Sequence, residues 1–379
     1  MDYDTLILHT GSEIDEATGA LSVPVYHAST YHQKDLSKRQ QFDYSRSGNP
    51  TRCAVEQAMA SLESGSHAFA FASGMAAISS AIMSFLKAGD HIVVTRDIYG
   101  GAYRFFTEFM GQFSVEHTFV DATSINEIKK AIKAETRAIY IETPSNPLLT
   151  ITDISAVAAL CREKNIISFI DNTFMSPYFQ RPIECGIDVS IHSATKFLGG
   201  HSDLLAGVVV ARNAEIAKRI AFVQNTLGAV LSPNDSWILM RGIKTLGARM
   251  RIQEESAGRI AQWLKDQSWV SDVYYPGLSD HPGHDVHKAQ SCGFGSVVSF
   301  KTDSVERARL LLSNAKLWAV AVSLGGVDSI MSYPWIMSHG SMPKPVKDSL
   351  GISESLIRLS VGLESAEDLI KDIEEHKNI

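Results

Sequence analysis

Between residues 67 and 211 short apolar runs rich in Val and Ile alternate with segments that carry apolar residues at helical spacing. The strand candidates are 67–71, 91–95, 115–120, 138–142, 166–171, 189–191 and 206–211; the helix candidates are 54–62, 76–86, 99–110, 125–134 and 154–163. Parallel strands need a crossover of about a dozen residues between them, and a helix on the sheet face is the usual way to supply it. The pattern therefore predicts an α/β fold with a mostly parallel central sheet and helices on both faces. In such sheets ligands bind beyond the carboxyl ends of the strands. Tyr99, Asn146, Asp171 and Lys196 each end or follow a strand candidate, so one sheet edge is expected to hold all four.

The flanking regions read differently. Residues 1–52 show no clear period, and 42–52 (FDYSRSGNPTR) are dense in Gly, Asn and Pro, which marks a loop. This stretch reads as an N-terminal arm that packs poorly alone, either solvated or lying over another subunit. Residues 213–265 read as helical, with a break near Ser232-Pro233 and long helices expected over 237–251 and 252–264. Beyond them 270–379 form a smaller α/β piece, with strands at 270–275, 296–300, 317–322 and 356–361 and helices at 305–313 and 367–376. The expected division is 1–52 for the arm, 53–235 for the large domain and 236–379 for the C-terminal domain. A net charge of −7 argues against nucleic acid as a partner. No apolar run is long enough to span a bilayer, and the four cysteines are far apart with no C-x-x-C. A cytoplasmic protein without membrane contact is expected.

Taken singly, the chemical signals are modest. Lys196 lies in IDVSIHSATKFLGGHSD (187–203), between two hydroxyl residues and a Gly-Gly exit. A lysine whose pKa is lowered by burial or by cations becomes a nucleophile toward carbonyls, although most lysines are simply solvated. Asp171 closes the apolar run 166–170; a buried carboxylate there needs a cation or a donor, and otherwise it merely caps a turn. One such cation is the protonated pyridine nitrogen of pyridoxal phosphate (PLP), whose enzymes pair an Asp with that nitrogen and a Lys with the aldehyde. The turn Ala72-Ser73-Gly74-Met75 exposes backbone N–H groups at a helix start, a place that binds phosphate. Tyr99 can stack on a flat ring. Arg358 is a guanidinium in an apolar strand and needs either an internal acid or a substrate carboxylate. His281, His284 and His287 are close in sequence, but Pro282-Gly283 breaks any helix that would align them, so no metal site is expected.

Together these residues resemble the Cys/Met-metabolism PLP enzymes, a group that includes cystathionine β-lyase, γ-lyase and γ-synthase and methionine γ-lyase. The matches run through nearly the whole chain: Tyr44-Ser45-Arg46 with Gly48-Asn49-Pro50-Thr51-Arg52, Ala72-Ser73-Gly74-Met75-Ala76, Tyr99-Gly100-Gly101, Glu142-Thr143-Pro144-Ser145-Asn146-Pro147, Asp171-Asn172-Thr173, Ser193-Ala194-Thr195-Lys196, Gly200-His201-Ser202-Asp203 and Arg358-Leu359-Ser360-Val361-Gly362.

The resemblance implies a fold-type-I PLP-dependent transferase architecture and a homotetramer made of two catalytic dimers. It implies that Lys196 forms the Schiff base with the cofactor, that Asp171 pairs with the pyridine nitrogen and that Tyr99 stacks on the ring and helps to move protons. Gly74, Met75, Ser193 and Thr195 would hold the phosphate, with Tyr44 and Arg46 reaching it from the neighbouring subunit. Asn146, Ser323 and Arg358 would hold the carboxylate of a small sulfur amino acid. Val322 stands where γ-synthases and many γ-lyases of the family carry a glutamate for the distal amino group. Gly101 stands where methionine γ-lyases tend to carry a cysteine. The expected activity is β-elimination of L-cystathionine to homocysteine, pyruvate and ammonia. The alternatives are γ-lyase, γ-synthase or O-acylhomoserine thiol-lyase; in other classes they are an aminotransferase or a non-catalytic protein of the same fold.

Overall fold

The structure is a computed structural model that describes residues 1–11, 14–38 and 40–377. A seven-stranded sheet carries β1 (His67–Phe71), β2 (His91–Thr95), β3 (Glu116–Val120), β4 (Thr136–Glu142), β5 (Ile167–Asp171), β6 (Val189–His192) and β7 (Gly207–Ala211), in the order β1-β7-β6-β5-β4-β2-β3. From β6 to β3 every neighbouring pair is parallel, while β7 runs antiparallel to both its neighbours. Side chains alternate between the two faces of this sheet, as the period of a strand requires. On β4, Ala138 and Tyr140 join one core cluster, with Phe106 and Ile82; Ile139 and Ile141 join another, with Val157 and Leu160. Both faces are therefore covered by helices.

The covering helices are specified locally. Ile154–Lys164 starts at Asp153, whose carboxylate accepts from the Ala156 amide at 2.9 Å, and ends at Asn165 in the left-handed region. Its buried stripe is Ile154, Val157, Ala158, Leu160 and Cys161. Each buried Ile, Val or Leu contributes about 1.5–3 kcal/mol, so this stripe outweighs the cap, at about 1 kcal/mol, in fixing the helix to the sheet.

The smaller sheet carries β8 (Val270–Tyr274), β9 (Val297–Thr302), β10 (Ala319–Val320), β11 (Ile330–Ser332) and β12 (Leu356–Ser360), in the order β10-β11-β12-β9-β8. On β12, Ile357 and Leu359 pack with Val298, Phe300, Ile260 and Leu369. Arg358, between them, is turned to the opposite face by the same alternation, where its neighbours across the sheet are Ser299 and Ser332. Two small polar side chains leave room for the guanidinium.

Several expectations differ in detail. The region read as one helix over 99–110 is helical over Gly100–Arg104, widens to a π turn at Phe105–Phe109 and tightens to a 3-10 turn at Met110–Phe113. Phe105 stacks on Phe109 at 5.6 Å, and Phe109 packs on Phe113 at 5.1 Å, an aromatic row that favours the altered winding. The break between the two long helices falls at Lys244-Thr245, between Pro233–Ile243 and Leu246–Lys265, and not near residue 251. There the Thr245 hydroxyl donates to the Gly242 carbonyl at 3.1 Å, and the buried Arg249 guanidinium donates to the Gly242 and Phe197 carbonyls at 2.8 Å each. The strand expected over 317–322 is reduced to Ala319–Val320, and β11 has only three residues, too few to show a period. The arm contains one helix that was not expected, Tyr3–His9, which buries Ile7. Among the described residues no helix is long and apolar enough to cross a membrane.

Candidate active site

A cavity of about 550 Å³ opens at the carboxyl ends of the parallel strands, and Gly74, Met75, Tyr99, Asn146, Asp171, Ser193, Thr195, Lys196, Ser323 and Arg358 all line it. Their positions follow from the elements that carry them. Asp171 is the last residue of β5, in register with Glu142 at the end of β4. Its carboxylate accepts from the Thr173 amide at 3.0 Å and from the Tyr140 hydroxyl at 3.4 Å. Burial raises its pKa, opposed by the hydrogen bonds from Thr173. A carboxylate this deep with acceptor capacity left over calls for a cationic donor.

Lys196 lies in the turn after β6, with its amine 2.6 Å from the Ser323 hydroxyl. Burial, with the Arg358 charge as a second cause, lowers its pKa from 10.5 to about 8. A much larger share of this amine is neutral near neutral pH than is true of a surface lysine, which is what a nucleophile and proton acceptor needs.

The opposite wall is a cradle. Ser73 caps the helix Gly74–Met83 by accepting from the Ala76 amide at 3.1 Å, which leaves the first-turn N–H groups pointing at the cavity. A β-carbon on Gly74 would lie 2.8 Å from the Ser193 hydroxyl, so the two segments meet only because residue 74 has no side chain. Thr195 is partly engaged already: its hydroxyl donates to the Ala206 carbonyl at 3.2 Å. Helix start and hydroxyl together suit an anion of phosphate size. Gly101 allows the Tyr99 ring to fold back, since a β-carbon there would be 2.4 Å from the ring.

Arg358 is 2% exposed and donates to the Asn146 side-chain oxygen at 2.8 Å, the Ser323 carbonyl at 2.7 Å and the Ser332 hydroxyl at 3.1 Å. These partners are neutral, and its Nε has no partner at all. Burial pushes its pKa down to about 10. An acid in direct contact, the internal alternative, is not what holds it. Ser323 itself has φ +87°, a left-handed conformation that side chains rarely adopt.

Tyr44 and Arg46 are not brought to this cavity within one chain. Arg46 donates to the Asn225 carbonyl at 2.6 Å and to its side-chain oxygen at 2.9 Å, and its guanidinium lies 5.6 Å from the Tyr44 ring centroid. The three histidines hold backbone instead of one another: His284 meets the Pro276 carbonyl at 2.7 Å and His287 the Gly293 carbonyl at 3.0 Å, and burial lowers His281 and His287 to about 4. Among the described residues no group of His, Cys, Asp or Glu is arranged to hold a metal.

Some of the lining carries no role in the sequence reading. Glu142, Arg104, Phe174, Leu205 and Ile336 all face the cavity. The signal for Glu142 was the one that marks Asp171, a carboxylate closing a largely apolar run. Nothing comparable marks the other four.

A buried carboxylate short of a cation, an amine with a lowered pKa and an anion cradle at one sheet edge fit pyridoxal phosphate, and with the fold they define a PLP-dependent enzyme of fold type I. The chain belongs to the Cys/Met metabolism PLP-dependent enzyme family, whose model matches residues 4–376. It is 50% identical to Bacillus subtilis cystathionine beta-lyase MetC over 98% of this chain and 95% of that protein. It is 49% identical to Bacillus subtilis cystathionine gamma-lyase over 98% of both. The solved structure of cystathionine gamma-lyase from Lactobacillus plantarum with L-serine superposes with a TM-score of 0.97 at 42% identity, covering 99% of this chain and 98% of that one.

Proposed function

We propose that this enzyme breaks the Cβ–S bond of L-cystathionine: with one water it yields homocysteine, pyruvate and ammonia. The observation that carries the choice is the mouth of the cavity. Val322, Leu205 and Ile336 are 64%, 65% and 65% exposed there, and no carboxylate stands at residue 322 to meet a distal ammonium. Identity to the beta-lyase and the gamma-lyase of Bacillus subtilis is nearly equal and does not separate the readings.

Arg358, Asn146 and Ser323 bind the α-carboxylate; the unpartnered Nε of Arg358 is one donor available to it. Tyr99 and Asp171 line the cavity, where Tyr99 would hold the cofactor ring and Asp171 its nitrogen. Bound pyridoxal phosphate supplies the electron sink that acidifies the α-proton. The Lys196 amine would take that proton on Nζ, and the sulfur would leave as a thiolate. γ-Elimination would need a further proton removed from Cβ before the sulfur could leave. β-Elimination needs only the one transfer that Lys196 provides, with Tyr99 as a second proton carrier.

Residues 1–52 serve as an arm on a neighbouring copy, where Tyr44 and Arg46 complete the phosphate site. Residues 53–235 form the cofactor domain and 236–379 the C-terminal domain of a cytoplasmic homotetramer.

The test is product analysis with L-cystathionine. Pyruvate with homocysteine is expected. 2-Oxobutyrate with cysteine, or synthesis of cystathionine from cysteine and an acylhomoserine without cleavage, would overturn the reading.

A further inference from the structure

Glu142 lies at the end of β4, 4% exposed, and has no part in the chemistry described above. Its two oxygens are both occupied: one accepts from the Tyr99 amide at 3.0 Å and the other from the Asn146 amide, also at 3.0 Å. These two residues stand on opposite sides of the cavity's task, one toward the cofactor ring and the other, through Arg358, toward the substrate carboxylate. We propose that Glu142 is the positioning residue that ties the two halves of the site together, one carboxylate fixing the loop of Tyr99 and the loop of Asn146 in a single geometry. The proposal rests on the roles given above to Tyr99 and Asn146.

Two observations separate this from a glutamate that merely satisfies two amides. First, the position is costly. Glu142 is paired in register with Asp171, and burial together with that second carboxylate pushes its pKa well up. A neutral side chain or a carbonyl would satisfy an amide without setting two acids side by side. Second, the acid lies beside the carboxylate anchor without occupying it: the direct partners of the Arg358 guanidinium are the Asn146 side-chain oxygen, the Ser323 carbonyl and the Ser332 hydroxyl, all neutral. Arg358 thus stays open to a carboxylate. The tie is reinforced a few residues away, where Asp97 accepts from the Ser145 hydroxyl and from the Thr95 hydroxyl.

Glu142→Gln keeps the shape but presents an NH2 group to one of the two amides. The experiment measures two binding constants on each variant: pyridoxal phosphate for the cofactor-free enzyme, by absorbance titration, and L-alanine for the loaded enzyme, by the change in the cofactor's absorption. L-Alanine carries the α-carboxylate and no leaving group, so the result is independent of which carbon–sulfur bond the enzyme breaks. Both constants should weaken together, each by roughly tenfold or more. In the Asn146→Ala background the same change should add less than threefold to the L-alanine constant, because contacting residues on one path are not additive. Glu142→Asp restores two acceptor oxygens but is too short for both amides, and should recover one constant more than the other. If Glu142→Gln leaves both constants unchanged while lowering the thermal midpoint, or if its effect adds in full to that of Asn146→Ala, Glu142 is only a structural acid and the proposal fails.

Discussion

The Lys196 amine donates to the Ser323 hydroxyl at 2.6 Å, and Ser323 holds this position with a backbone at φ +87°. The same residue gives its carbonyl to Arg358 at 2.7 Å. One residue with a left-handed backbone therefore holds both the Lys196 amine and the Arg358 guanidinium. Strain of this kind costs about 1–3 kcal/mol and persists only where the surroundings enforce it. Ser323→Gly should relax the backbone and stabilise the chain by up to about 1 kcal/mol, since glycine adopts this region freely. Turnover should nevertheless fall at least about tenfold, because the hydroxyl is gone. Chemical denaturation and a pyruvate assay on the same preparation read the two effects, and a variant as active as the parent would refute a role for the hydroxyl.

Lys196→Ala should bind pyridoxal phosphate but lose turnover by several orders of magnitude, as expected if the base for the α-proton is deleted. Borohydride treatment of the parent should fix the cofactor to a peptide containing Lys196, read by mass spectrometry. Fixation at another lysine would remove the assignment.

The lowered pKa of Lys196 has a consequence for stability. In the unfolded chain the amine titrates near 10.5; in the folded, cofactor-free chain it titrates at about 8. Between those values the unfolded state holds more protons, so this residue makes stability rise with pH from 8 to 10.5, and below pH 8 its full penalty is present. Lys196→Met removes the penalty and should stabilise the cofactor-free chain at pH 7 by about 1–3 kcal/mol, with the advantage shrinking as the pH approaches 10. Urea midpoints of both chains at several pH values test this; a constant difference would contradict the shift.

Arg249 should be intolerant of change. It is buried and holds carbonyls of Phe197 and Gly242, the segment just after Lys196 and the helix before the break. Arg249→Met leaves both carbonyls without their donor, and a loss of about 2–4 kcal/mol is expected by thermal denaturation. Arg249→Lys, with a single donor centre, should recover only part of it.

The legible parts of the sequence were those in which a residue type conflicted with its surroundings. Asp171 and Arg358 stood out as charges in apolar strands, and strand–helix alternation made the large sheet plain. Glu142 presented the same conflict, yet its partners are the amides of Tyr99 and Asn146, and backbone groups leave no pattern in a sequence. The break at Thr245 is held by Arg249, four residues on, through the Thr245 hydroxyl and the Gly242 carbonyl, contacts that no apolar period reveals, and β11 is too short to show a period. Tyr44 and Arg46 carry family motifs, but within one chain Arg46 meets Asn225 and the Tyr44 ring, and neither residue lines the cavity.

The antiparallel strand β7 has one more consequence, for the order of events during synthesis. It is the only neighbour of β1 in the sheet, and Gly207 at its start lies so close to the Ser73 carbonyl that a β-carbon there would approach to 2.2 Å. Until β7 leaves the ribosome, β1 lacks its strand partner and the Ser73 turn lacks the backbone that packs against it. Closure of the sheet edge and fixing of that turn therefore wait on the same strand.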